Sequence, residues 1–384
     1  MHILWTVYFG LDALCSIIGA ALCGLGLRQL PWLKRTEPLR SDHAPSISII
    51  FAARDEAEKL AKALPTLLDQ NYPDYEVLAV NDRSRDATLD ILNQFARASK
   101  RLRVLDVTEL PPGWLGKTHA LDAGYHAARG EWLVFTDADV SFSPDVLSRA
   151  MALATERGWD HLTLLAGIEM HGVWEIAAVS YFGLVFVAGN GIWHTNRPNS
   201  RAYNGVGAFQ LVRREAYERA GGHKRLALDV IDDMKLGKIV KLAGFRSGTG
   251  IAFDEVRVRW QAGLRNVIAG VTKNMFAAVG YNAAFAGAAM MVPLAFSIGP
   301  LAGVILATGW ARVFAGIALA AVLGMHGFTL ASAGRSPLYA LTNPIGAILF
   351  DWMLLRSTVV TLWQGGVKWR DTFYPLDELR KNMV

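Results

Sequence analysis

The stretch EWLVFTDAD (Glu131–Asp139) runs from an apolar segment of strand composition directly into two carboxylates, Asp137 and Asp139. Like charges this close repel, so the pair needs a positive partner. Three further β-rich apolar runs precede it, at 46–53, 76–80 and 103–107. Helix-like segments separate these runs. This alternation predicts a mostly parallel α/β sheet, in which ligands bind beyond the carboxyl ends of the strands.

Charged residues gather at the predicted carboxyl edge of this sheet. Arg54, Asp82, Asp137 and Asp139 each lie at or just past the C-terminal end of a strand. Carboxylates clustered at one sheet edge are typical of a site for a hard divalent cation that is shared with substrate phosphates. The expected positive partner is therefore Mg²⁺ or Mn²⁺ carrying a diphosphate. The alternative is that the aspartates are solvated turn residues.

The two ends of the chain are more apolar than its middle. Hydrophobic residues make up 52% of the sequence and charged residues only 19%. Residues 3–27 form a run long enough to span a membrane, which takes about 20 apolar residues. Three more apolar stretches follow near the C-terminus, at 283–307, 311–331 and 344–363, and Pro293 and Pro300 predict an interruption in the first of them.

Basic residues set the expected orientation. Arg28, Lys34, Arg35 and Arg40 follow the first apolar run. By the positive-inside rule they place the middle of the chain in the cytoplasm and Met1 outside. We expect a multi-pass protein of the cell membrane, and we assign the net charge of +5 to membrane-flanking residues rather than to nucleic-acid binding. The number of crossings stays open, because three C-terminal spans would put the basic tail outside.

The segment 173–193 is almost wholly apolar but lies in the middle of the α/β region. A span here would split that region, so we interpret it as a helix lying on the membrane interface beside the entrance for a lipid. A buried core helix is the alternative.

Several elements follow one another in an order found in one enzyme family. They are SIIFAARDE (48–56), QNYPDYEVLAVNDRSRDAT (70–88), GKTHAL (116–121), TDAD (136–139), GVGAFQLVRR (205–214), AGG (220–222) and IDD (231–233). Together they resemble the family 2 glycosyltransferases, and the flanking apolar segments are similar to those of the lipid-modifying branch, which includes hopanoid-associated and ceramide-glucosyltransferase-like enzymes. The resemblance covers about residues 46–280. It implies a GT-A fold, a Rossmann-like α/β domain that binds a nucleotide-sugar.

The resemblance also implies residue roles on the donor side. Asp82 corresponds to the aspartate that contacts the base or ribose, in the family element DD-x-S-x-D-x-T. Lys117 suits an anionic diphosphate. Asp139 would be the stronger of the two metal ligands, and Asp137 would lie closer to the ribose or the sugar. Arg54 and Glu56 would line the same pocket, or would be helix N-terminal charges instead.

On the acceptor side, the resemblance places the acidic pair Asp232 and Asp233 at the reacting hydroxyl. Asp233 is the preferred general base, with Asp232 as the alternative or as an orienting partner; both could instead cap the helix that follows. Gly205 and Gly207 belong to the acceptor-side loop. The processive motif Gln-x-x-Arg-Trp is absent, which favours transfer of one sugar, and Lys273 and Asn274 are candidates for its position.

These expectations define a membrane-bound, metal-dependent, inverting glycosyltransferase that moves one sugar from a nucleotide-sugar, expected to be UDP-linked, to a lipid hydroxyl. A polyprenyl-phosphate sugar synthase and a non-catalytic scaffold are the alternatives. The expected organisation is a transmembrane helix (1–27), a basic linker (28–45), the GT-A domain (46–256), interfacial helices (257–282), transmembrane helices (283–363) and a tail (364–384).

Overall fold

The computed structural model describes residues 2–39, 44–197 and 199–384. Met1 and Arg40, which enter the predicted orientation, lie outside these ranges. The chain forms two compact units. A sheet unit comprises Leu30–Glu169, Ile192–Trp260 and Lys381–Val384, and a helical unit comprises Met1–Gln29, Met170–Gly191 and Gln261–Arg380.

In chain order the elements are α1 (His2–Gln29), β1 (Ile47–Ala53), α2 (Ala57–Leu68), β2 (Tyr75–Asp82), α3 (Thr88–Ala98), β3 (Leu102–Val107), α4 (Gly116–Ala127), β4 (Trp132–Phe135), β5 (Val140–Phe142), α5 (Val146–Arg157), β6 (His161–Ile168), α6 (Val173–Asn190), β7 (Gln210–Arg213), α7 (Arg214–Ala220), α8 (Gly222–Arg225), α9 (Asp232–Leu242), β8 (Ser247–Val258), α10 (Leu264–Thr272), α11 (Met275–Ala278), α12 (Ala283–Pro293), α13 (Gly299–Leu306), α14 (Gly309–Ser332), α15 (Asn343–Gln364), β9 (Gly366–Trp369), β10 (Thr372–Pro375) and α16 (Leu376–Lys381). Short 3₁₀ helices cover Leu33–Arg35, Ile192–Asn196 and Pro337–Thr342.

An eight-stranded sheet in the order β3-β2-β1-β4-β7-β6-β8-β5 organises the sheet unit. Strands β3, β2, β1 and β4 are parallel, as are β6 and β8. Strand β7 is antiparallel to both of its neighbours, and β5 is antiparallel to β8. The predicted α/β fold with a mostly parallel sheet is therefore confirmed.

The continuous apolar run of β1 reflects burial of this strand on both faces. Ile49 and Phe51 pack into one core cluster, whereas Ile50 packs into another. Because successive side chains alternate across a strand, these clusters lie on opposite faces of the sheet. Parallel pairing of β1 with β2 and β4 then brings the C-terminal ends of all three strands to one edge.

The helical unit holds the long apolar helices. Five helical segments of the described chain are long and apolar enough to cross a membrane: His2–Gln29, Val173–Asn190, Ala283–Leu306, Gly309–Ser332 and Pro337–Gln364. The third of these is α12 and α13 joined by a π-helical turn, Leu294–Ile298, directly after Pro293. Proline cannot donate the helical hydrogen bond, which accounts for the predicted interruption at this point.

Helix α6 belongs to the helical unit, whereas β6 before it and β7 after it belong to the sheet unit. The helix packs against α15 at Gly346. A Cβ atom there would lie 2.6 Å from the Ala177 carbonyl oxygen, so only glycine permits this close approach of the two backbones. The interfacial range 257–282 contains the end of β8, α10 and α11, and the tail forms a β9–β10 hairpin and α16.

Candidate active site

The carboxylate loop, residues 136–139, follows β4 and carries Asp137 and Asp139. Hydrogen bonds to main-chain carbonyl groups hold it in place. The Thr136 N–H donates to the Ile50 carbonyl (3.1 Å), and its hydroxyl donates to the Ala208 carbonyl (2.8 Å). The Asp137 N–H donates to the Gly207 carbonyl (2.9 Å). The loop is thus fixed between the middle of β1 and the segment that leads into β7.

Two lysines are the positive partners of the aspartates in this loop. Asp139 Oδ2 lies 2.9 Å from Lys59 Nζ, which also lies 3.1 Å from Glu56 Oε2. Asp137 Oδ1 lies 2.9 Å from Lys117 Nζ. Both lysines come from the first turn of a helix that follows a strand of the parallel half of the sheet. Sequence reasoning missed Lys59, although its spacing of three from Glu56 was a usable signal.

The acidic pair lies at the N-terminus of α9, on the other side of Lys117. Asp232 is buried, and its Oδ2 is 3.6 Å from Lys117 Nζ. Asp233 is only half-buried and accepts hydrogen bonds from its neighbour Met234 N (2.8 Å) and from Gly207 N (3.0 Å). Asp233 therefore presents the more accessible carboxylate of the pair.

Burial and charge act on this cluster in opposite directions. Burial alone would lower the pKa of Lys117, but the nearby carboxylates of Asp137, Asp232 and Asp233 raise it well above its usual range. Burial raises the pKa of Asp232 to about 7, against the lowering effect of Lys117, and burial raises the pKa of Asp233 as well. Lys117 thus stays charged, and Asp232 takes up a proton near neutral pH.

His223 completes the buried side of the cluster, and sequence reasoning missed it. Its Nε2 lies 4.0 Å from Asp232 Oδ2, and its Nδ1 is 2.8 Å from the Tyr217 hydroxyl. Burial, and next the charge of Lys117, lowers the pKa of His223 to about 3, so the ring is neutral. The Ala-Gly-Gly element immediately before this residue was the available signal.

The glycines of the acceptor-side loop are required by close contacts. A Cβ atom on Gly207 would lie 2.5 Å from Asp137 Oδ2. One on Gly205 would collide with the Asp233 carbonyl oxygen. These two glycines therefore let the loop pass between the carboxylate loop and α9.

Asp82 ends β2 and lies between two guanidinium groups. Arg83 Nε is 2.7 Å from Asp82 Oδ1, and Arg54 Nη1 is 4.0 Å from Asp82 Oδ2. Gly116, at the start of α4, faces the same carboxylate, because a Cβ atom there would collide with Oδ2. Three of the predicted donor-side residues, Arg54, Asp82 and Lys117, thus surround the ends of the parallel strands.

The polar residues after Asp82 hold the loop between β1 and α2. Ser84 Oγ accepts from Asp55 N (3.1 Å), and Thr88 Oγ1 accepts from Glu56 N (2.9 Å). Asp86 Oδ2 accepts from Ala57 N (3.2 Å). These residues of the predicted nucleotide element therefore have a structural role that positions Arg54 and Glu56.

Lys273 and Asn274 belong to the helical unit, whereas the other predicted site residues belong to the sheet unit. Lys273 Nζ lies 3.7 Å from the centroid of the Trp369 ring, a cation–π contact. The Asn274 N–H donates to the Val271 carbonyl at the end of α10 (3.0 Å). Their acceptor-side role remains a prediction.

The donor set of the carboxylate loop fits a metal ion that is shared with a ligand. Within the described ranges, no group of three or more His, Cys, Asp or Glu side chains forms a ready-made metal site. Mg²⁺ is commonly bound through one or two carboxylates, with substrate phosphates and waters completing its shell. Asp137 and Asp139 supply two such carboxylates, so they suit an ion that arrives with a diphosphate.

A mostly parallel α/β sheet with this charged edge is the architecture of GT-A glycosyltransferases, and comparisons with known proteins agree. Residues 48–220 match the family model "Glycosyl transferase family 2". The chain is 24% identical over 349 residues to 4,4'-diaponeurosporenoate glycosyltransferase of Staphylococcus aureus strain MRSA252, covering 87% of this chain and 89% of that protein. The chain is also 24% identical over 360 residues to the protein of the same name from strain N315, covering 90% of this chain and 92% of that protein.

A solved structure shares the fold. It is the mannosyltransferase PcManGT from Pyrobaculum calidifontis, determined in complex with GDP-Man and Mn²⁺. The TM-score is 0.53 at 20% sequence identity, covering 93% of this chain and 99% of that one. Residues 48–220 thus match the family 2 model, and the chain has the GT-A fold.

Proposed function

We propose that this glycosyltransferase moves one sugar from a nucleotide-sugar to a hydroxyl group of a lipid, with inversion at the anomeric carbon. The observation that carries the proposal is the cluster around Lys117, whose Nζ lies 2.9 Å from Asp137 Oδ1 and 3.6 Å from Asp232 Oδ2. It puts the residues suited to a diphosphate next to an acidic pair that is suited to accept a proton.

On the donor side, Asp82 with Arg54 binds the nucleoside, and Glu56 lies in the same loop. Lys117 faces the diphosphate as a point charge. Asp139 and Asp137 would hold a Mg²⁺ or Mn²⁺ ion together with that diphosphate. When bound, such an ion supplies Lewis-acid stabilisation of the charge on the leaving group.

On the acceptor side, Asp233 accepts the proton of the attacking hydroxyl. Inversion requires this base on the face of the sugar opposite the leaving diphosphate. The Gly207 and Met234 N–H groups hold its carboxylate at 3.0 and 2.8 Å and so fix its orientation. Asp232, which is buried beside Lys117 and His223, is the alternative base or an orienting partner of Asp233.

A lipid acceptor fits two features of the chain. The relatives in Staphylococcus aureus are named for diaponeurosporenoate, a lipid-like acceptor. The helical unit also contains apolar helices long enough to anchor the enzyme in the bilayer that holds such a substrate. We place the protein in the cell membrane with the sheet unit in the cytoplasm, and α6 with Lys273 and Asn274 on the acceptor side.

Transfer of a single sugar is favoured by the absence of the processive motif. Arg259 and Trp260, the nearest Arg-Trp pair to the expected motif, directly follow β8. The Arg259 guanidinium donates to the Glu169 carbonyl (2.7 Å), and Trp260 packs against the sheet core. Both side chains therefore serve the sheet unit itself.

The test is donor turnover by the full-length protein in detergent, with a membrane lipid extract as acceptor. UDP- and GDP-sugars are supplied with and without Mn²⁺. We expect a labelled lipid that depends on metal and is lost in Asp139→Ala, while the exposed control Asp90→Ala behaves as wild type. Mass spectrometry of the product identifies the sugar and the lipid. If no donor is consumed and Asp139→Ala matches wild type, the protein is not a transferase and the scaffold alternative gains support.

A further inference from the structure

Arg83 has a backbone conformation that its side chain does not favour. Its φ is 54°, in the left-handed region that glycine adopts freely and arginine rarely does. The family element leaves this position open, so nothing in the pattern demands arginine here. Strained residues of this kind persist where the surroundings hold them, and they concentrate at ligand sites.

The Arg83 side chain has one hydrogen bond and one group that lacks a partner. Its Nε lies 2.7 Å from Asp82 Oδ1. Its Nη2 is buried and has no hydrogen-bond partner among the residues that the structure describes. A Cβ atom on Gly116 would lie 2.6 Å from this Nη2, so glycine at this position lets the guanidinium pack against the start of α4. A buried donor without a partner is costly, which points to an acceptor supplied by a ligand.

The groups around Asp82 form an ordered array of donors and acceptors. The carboxylate of Asp82 lies between the Arg83 guanidinium at Oδ1 and the Arg54 guanidinium at Oδ2. The order is therefore donor, acceptor, donor. The Watson–Crick edge of uracil has the complementary order, with the O2 acceptor, the N3–H donor and the O4 acceptor.

Guanine fits this array poorly. Its edge carries the O6 acceptor followed by two donors, N1–H and the N2 amino group. A carboxylate binds those two donors best through both of its oxygens. In this protein Oδ1 already accepts from Arg83 Nε at 2.7 Å, so binding both guanine donors would require Oδ1 to accept a second hydrogen bond beside the Arg83 guanidinium.

We propose that Arg83 makes the nucleotide site selective for uracil over guanine, by donating to a uracil carbonyl oxygen while Asp82 accepts from N3–H. This inference rests on the proposed function, because it assigns the base of the nucleotide-sugar donor. Arg83 is then the residue that determines specificity for the base of the donor.

The test measures binding of UDP and GDP to the full-length protein in detergent by isothermal titration calorimetry with Mn²⁺. The variant is Arg83→Gly, since glycine adopts this φ without strain and should preserve the loop. The matched control is Arg85→Ala, an exposed arginine two residues further on. We expect wild type and Arg85→Ala to bind UDP at least about tenfold more tightly than GDP, the scale of one hydrogen bond to a charged group.

In Arg83→Gly we expect UDP affinity to fall by about tenfold and GDP affinity to change less than about twofold, so that the preference disappears. Equal affinities in wild type, or an unchanged preference in Arg83→Gly with a wild-type melting curve, overturns the role of Arg83 while nucleotide binding stands. If neither nucleotide binds to wild type, the donor assignment fails together with this inference.

Discussion

Substitution of Asp233 by asparagine tests whether this residue is the general base. A positioned base contributes about 10²–10⁴-fold to a proton-transfer step. We therefore expect kcat on a lipid alcohol to fall by that factor, equivalent to about 3–5 kcal/mol of transition-state stabilisation. The donor KM should change little, because Asp233 contacts the acceptor loop and not the residues around Asp82.

The structure also sets a stability cost for Asp233→Asn. The two carboxylate oxygens accept from Met234 N at 2.8 Å and Gly207 N at 3.0 Å. An asparagine amide has only one acceptor oxygen, so one of these N–H groups would face an NH₂ group. Leaving such a donor unsatisfied costs about 1–3 kcal/mol, which urea unfolding would detect.

The assay is an initial-rate series over pH with purified wild type, Asp233→Asn and Asp232→Asn. Asp90→Asn, on the exposed face of α3, controls for loss of a carboxylate. If Asp233→Asn keeps more than about a tenth of the wild-type kcat on an alcohol while Asp232→Asn does not, Asp232 is the base. If Asp233→Asn retains activity on a polyprenyl phosphate, the acceptor is an anion that needs no base.

Three further changes test the charges and contacts of the cluster. Lys117→Met removes the positive charge from among Asp137, Asp232 and Asp233; we expect urea unfolding to show a loss of about 2 kcal/mol or more, and transfer to be abolished. Because burial raises the pKa of Asp232 to about 7, the native state binds this proton more tightly than the unfolded chain, whose value is about 3.9. The contribution of this proton to the free energy of unfolding is therefore lost as the pH rises from about 4 to about 7. In Asp232→Asn, unfolding titrations should no longer show this loss. Gly207→Ala would place a Cβ atom 2.5 Å from Asp137 Oδ2, so activity should drop at least about tenfold; an unaffected rate would show that the loop relaxes at little cost.

The sheet and its charged edge could be predicted because strands buried on both faces have continuous apolar sequences. The position just past each strand then identified Arg54, Asp82 and Asp137. Parallel pairing places such positions together whatever the details of the loops. The α/β class with a mostly parallel sheet needed no more than this pattern, whereas the GT-A fold was implied by the family resemblance.

Other features depend on information that the pattern does not carry. His223 reaches Asp232 through the packing of a short helix, which no spacing encodes. Helix α6 has the same apolar composition whether it packs against the sheet or among the other long apolar helices, and its contacts with α15 show the second arrangement. Antiparallel β7 lies between β4 and β6, although its sequence QLVR resembles that of any buried strand.

Ion pairs with two lysines explain how the carboxylates of Asp137, Asp139, Asp232 and Asp233 remain close together before a ligand binds. Lys59 balances Asp139, and Lys117 is shared between Asp137 and the acidic pair. Because one ammonium group contacts both sets, a ligand that draws Lys117 toward a diphosphate removes positive charge from Asp232 and Asp233. The pKa values of both carboxyl groups would then rise, so binding of the donor would change their protonation. On the proposed mechanism, the half-buried Lys117 would therefore couple the donor side of the site to its acidic pair.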